Sequence, residues 1–84
     1  MKHAGPEALE RLEPVLAKLR NLDGLRERKR GAFYRGSSAF LHFHEDPAGF
    51  FADLKVADAF VRFPVNSDAE VEKLIARAAR ALKG

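Results

Sequence analysis

The run Leu41-His42-Phe43-His44-Glu45 alternates apolar and polar residues and closes in Asp46-Pro47-Ala48-Gly49. Alternation sends successive side chains to opposite sides of an extended chain, so it demands a strand with one buried face and one polar face. Asp-Pro-x-Gly supplies the turn, because proline pre-sets φ and glycine takes conformations closed to other residues. Phe50 to Val56 then alternates again, with Phe50, Ala52, Leu54 and Val56 on one side. Two such runs joined by a short turn pair antiparallel, and the rest of the chain must be arranged around them.

Flanking segments extend the sheet. Ala32 to Arg35 predicts a strand ahead of this hairpin, joined to it through Gly36-Ser37-Ser38. Phe60 to Val65 predicts one behind it, after Ala57-Asp58-Ala59, with Val61, Phe63 and Val65 towards the core. Pro64 lacks an N–H and marks an edge strand or a strand end. Leu9, Leu12, Leu16 and Leu19 recur at helical spacing, with Pro6 in the first turn and Asp23-Gly24 as the stop. Pro14 interrupts that stripe and predicts a kink, or two short helices sharing a face. Ser67-Asp68-Ala69-Glu70 fits a capping box ahead of Val71, Leu74, Ile75, Ala78 and Leu82. Leu25 to Arg30 reads as a basic connector. The expected fold is α+β, a two-layer sandwich ordered helix – four-strand antiparallel meander – helix, in one domain over residues 1–84.

The absence of cysteine excludes disulfides, thiolate zinc sites and a cysteine nucleophile. No run approaches the roughly 18 apolar residues of a membrane span, and the start lacks the apolar core of a signal peptide. A cytoplasmic location is therefore expected, with no membrane partner. Ser37 and Ser38 fall in a turn, Ser67 is used as a cap, and neither a Gly-x-Ser-x-Gly elbow nor a phosphate loop occurs. The reading is of a non-enzymatic binding module with no catalytic residues.

Three candidate surfaces follow. By alternation Phe40, His42, His44, Phe51, Asp53, Lys55, Phe60 and Arg62 share the sheet face opposite the helices. Phe40, Phe51 and Phe60 there predict an interface through which the chain self-associates, as a dimer. His42 and His44, two residues apart on a strand, project both imidazoles to one side; with Asp46 they form a candidate site for zinc or iron, the one cofactor class indicated. A further ligand must come from another strand, and Asp53 is the nearest by face, whereas Glu45 points the other way. Arg26, Arg28, Lys29, Arg30 and Arg35, beside Phe33 and Tyr34, form a candidate anion or nucleic-acid surface, in keeping with a net charge of +3.

The segments Gly31-Ala32-Phe33-Tyr34 and Ala39 to Gly49 resemble a group of small uncharacterised bacterial proteins that share an FLHFHEDPAG core. The similarity covers about residues 24–82. More distantly, the Asp46-Pro47-x-Gly49 turn, the last two strands and the C-terminal helix are similar to YdhG-like domains, some of them described as frataxin-like iron chaperones. A weaker similarity links the chain to YjbR-like domains. The YdhG-like similarity implies a small α+β fold and iron, the YjbR-like one DNA.

Overall fold

The computed structural model describes residues 1–83. Its elements run β1 (Lys2–His3), α1 (Pro6–Arg11), α2 (Glu13–Arg20), β2 (Arg26–Lys29), β3 (Ala32–Arg35), β4 (Ser38–Asp46), β5 (Gly49–Val56), β6 (Ala59–Pro64) and α3 (Asp68–Lys83). The α+β class stands. The helix – four-strand – helix order is corrected to three helices and a six-strand antiparallel sheet.

The sheet order β2-β3-β4-β5-β6 is a plain meander. Each pair is joined by two residues: Arg30-Gly31, Gly36-Ser37, Pro47-Ala48 and Ala57-Asp58. Such loops suit positive φ, which matches the strand twist, and Gly31, Gly36 and Ala57 all adopt it. β1 lies off this path. It pairs with β4 through Lys2 opposite Glu45 and His3 opposite His44, beyond the last β3–β4 pair at Phe33 and Leu41.

The predicted first helix divides where Pro14 has no N–H to give. Leu12 takes φ −85° and ψ 0°, Val15 N–H bonds Leu12 O at 2.8 Å, and α2 starts afresh. Leu12, Leu16 and Leu19 still share one buried face. They pack with Leu74 and Ala78 of α3 over Phe33, Leu41, Phe43, Ala52, Leu54 and Phe63 of the sheet. The capping box is present in modified form. Ser67 Oγ accepts the Glu70 N–H, and Glu70 Oε1 accepts the N–H of Asn66 rather than that of Ser67. Pro64 ends the edge strand β6, as its missing donor requires.

Two expectations for the ends of the sheet fail. The basic connector is strand β2, with Glu27 opposite Phe33 on the helix side, where it accepts Arg20 Nε at 2.5 Å and the Gly31 N–H at 2.9 Å. Charged residues along an edge strand discourage pairing with other chains, so the segment needs no apolar alternation to be a strand. The second failure is Phe40. Phe33 pairs with Leu41 but Tyr34 pairs with Ala39, which leaves one extra residue in β4. This β-bulge breaks the alternation at Phe40 and turns its ring into the core, 4% exposed, beside the buried Leu41.

Candidate metal centre on the open sheet face

The buried residues of α2 and α3 belong to the core cluster, on the side of Leu41, Phe43, Ala52 and Leu54. The other sheet face carries the polar half of each alternating strand. His42 stands opposite Asp53, His44 opposite Phe51, and Asp53 opposite Arg62, so β4, β5 and β6 each place a functional side chain in one row. Regular register between these strands fixes the arrangement, because a one-residue slip would reverse every side chain.

The ligating atoms of His42, His44 and Asp53 lie within 4.8 Å of one another. Asp53 Oδ2 is 3.6 Å from His42 Nε2 and 3.4 Å from His44 Nδ1. His44 Nδ1 is buried and has no hydrogen-bond partner among the described residues. A buried polar atom left unpaired is costly, and an imidazole nitrogen aimed at a carboxylate from outside hydrogen-bonding geometry is suited to a third atom between them. Tetrahedral ligands at about 2.0–2.1 Å from a zinc ion are separated by roughly 3.3–3.5 Å. The spacing from Asp53 to each imidazole is close to that value.

Arg62 holds Asp53 from the other side, Nε to Oδ1 and Nη2 to Oδ2, both at 2.8 Å. This paired hydrogen bond keeps the Asp53 carboxyl below its ordinary pKa, against the opposing effect of burial. Burial depresses the pKa of both His42 and His44, outweighing the attraction of Asp53. Two neutral imidazoles beside an ionised carboxylate are the protonation states a divalent ion needs.

His3 completes the group and was not anticipated. Strand β1 stacks its ring on His44 with centroids 4.7 Å apart, and 5.9 Å from that of His42. All of the chain's 3 histidines therefore meet at one place. That count was the available signal, but nothing in the sequence pairs residue 3 with residue 44.

The remaining candidates divide. Asp46 does not join the histidines; its Oδ1 accepts the Ala48 N–H at 2.7 Å and closes the hairpin turn. Glu45 faces the helices, as its parity requires, and accepts the Gly5 N–H at 2.7 Å. Of the three interface phenylalanines, Phe40 is in the core, Phe51 is half-buried and Phe60 is exposed, so the three-ring patch is not formed. In the basic set, Arg30 pairs with Glu10 and Glu13, and Arg35 donates to the Ala81 and Leu82 carbonyls at the end of α3. Arg26, Arg28 and Lys29 make no ion pair among the described residues, although Arg28 lies 4.8 Å over the Tyr34 ring.

Comparison with known protein families, with curated proteins and with solved structures finds no match to this chain. No helix among the described residues is long and apolar enough to cross a membrane.

Proposed function

We propose that the protein binds a divalent transition-metal ion, zinc or iron(II), through His42, His44 and Asp53. The observation that carries this reading is the unpartnered, buried Nδ1 of His44, 3.4 Å from the Asp53 carboxylate. Two imidazoles and one carboxylate are borderline donors suited to either ion, and three protein ligands leave positions open to a further ligand. Arg62 acts behind the site, fixing the orientation of Asp53 and keeping it ionised. The His3 ring, stacked on His44 from β1, borders the site.

Thermal unfolding with added zinc tests the proposal. An ion present at 100 times its Kd stabilises a folded chain by about 2.7 kcal/mol. At roughly 4–8 °C per kcal/mol, this raises Tm by about 10–20 °C. The shift should vanish in His44→Ala and Asp53→Asn. Cobalt(II) in place of zinc should give visible absorption from a low-symmetry site. Absence of any shift with zinc, iron(II), nickel or copper would refute the proposal, as would an undiminished shift in both variants.

A further inference from the structure

On the helix side, Arg20 pairs with Glu13 and Glu27, Arg30 with Glu10 and Glu13, and Lys18 with Glu72, while Arg11, Lys73 and Arg80 form no ion pair among the described residues. The open sheet face carries a group of cations of its own. Register places Arg26 opposite Tyr34, Lys29 opposite Ala32 and Lys55 opposite Phe60, while Arg28 covers the Tyr34 ring. With Arg62 that makes five cations, against the carboxylates of Asp53 and of Asp46, which shares the parity of His42 and His44 and lies near enough to act on Arg62. The resulting excess is three positive charges.

Flat rings accompany these cations. Phe60 is 45% exposed, and its ring is inclined to that of His42 at 62° with centroids 5.0 Å apart. Across the sheet, the Arg28 guanidinium carbon lies 4.8 Å from the Tyr34 ring centroid, a charge set over a second ring. A row of cations is complementary to phosphates, and exposed π-faces are complementary to unstacked bases. Among the described residues, no helix or ribbon projects from this side of the sheet to enter a duplex groove.

We infer that the open sheet face binds single-stranded nucleic acid, with phosphates on Arg26, Arg28, Lys29 and Lys55 and a base stacked on Phe60. Phosphates and base faces are common to both sugars, so DNA and RNA strands bind alike. The inference is independent of the metal reading, and its test is made in the presence of a chelator.

Fluorescence anisotropy with a mixed-sequence 12-nucleotide strand provides the test. Single strands lose affinity with a log–log salt slope of about −0.7 per neutralised phosphate, so three to four contacts give a slope of roughly −2 to −3. Arg28→Ala should weaken binding and make the slope shallower by about 0.7. Phe60→Ala, at an exposed edge position, should weaken binding by roughly five- to a hundredfold through lost stacking. Lys73→Ala, which removes the same charge from the helix layer, should change affinity less than about twofold. Any of four results overturns the inference. These are no binding at low salt, equal or tighter binding of the duplex, unchanged affinity in Phe60→Ala, or a Lys73→Ala loss as large as that of Arg28→Ala.

Discussion

Truncating Phe40 and Phe60 in parallel discriminates sharply between a regular β4 and a bulged one. A regular strand would place both rings on the open face; the bulge puts Phe40 in the core and leaves only Phe60 outside. Phe40→Ala removes a ring that is 4% exposed, and truncating a buried phenylalanine costs roughly 3–5 kcal/mol. Phe60 is 45% exposed at a sheet edge, so it buries about half of its area and its loss leaves no closed cavity. Half of the roughly 150–250 Å² that an aromatic side chain can bury, at about 25 cal/mol per Å², gives about 2–3 kcal/mol as an upper limit. A chain of this length is held by only about 4–13 kcal/mol in total, so Phe40→Ala removes a large share of its stability. Urea unfolding of the two variants, fitted with a common slope, measures the contrast. Equal costs, or a greater cost at Phe60, would refute the placement of Phe40. A Phe60 cost that grows with protein concentration would show instead that a second copy covers that ring.

Two more outcomes follow from local geometry. Burial lowers the pKa of His42 and His44 below that of a free imidazole, so the folded state resists protonating them. Their contribution is complete above the free-imidazole value and is lost as pH falls through the folded values; Asp53, lowered from 3.8 by Arg62, adds a second loss at more acid pH. Metal-free Tm should therefore be level from pH 8 to 7 and fall from pH 6 to 5, with the fall abolished in a His42→Gln/His44→Gln double variant; a rise over that interval would contradict it. Ala57 holds φ 58° in the β5–β6 turn, where a non-glycine residue is strained by about 1–2 kcal/mol, so Ala57→Gly should raise Tm by several degrees despite the greater freedom of the unfolded chain. A lower Tm in that variant would contradict it.

The hairpin from Ser38 to Val56 was legible because period-two alternation and a Pro/Gly turn report the same structure independently. Asp53 was legible as a cross-strand partner for the same reason: once the turn fixes the register, parity decides the face. The bulge at Phe40 was not, because it is a property of the pairing with β3 and leaves no mark in the alternation of β4 itself. β2 was hidden by composition, since Arg-Glu-Arg-Lys has no apolar side to display. Arg30 and Arg35 looked like free cations, but Glu10, Glu13 and the end of α3 are brought to them only by tertiary folding. His3 lay outside any local motif; two backbone register positions on β1 bring it to His44.

The seating of β1 beside β4 bears on how the protein should be handled. Met1 and Lys2 lead directly into the strand that carries His3, so any extension ahead of Lys2 emerges next to the three imidazoles. A polyhistidine tag placed there would deliver competing imidazoles to the candidate metal centre and pull on a strand of only two residues. Affinity handles and fluorophores belong at the far end of α3, and metal titrations made with an amino-terminal tag would report the tag as readily as the protein.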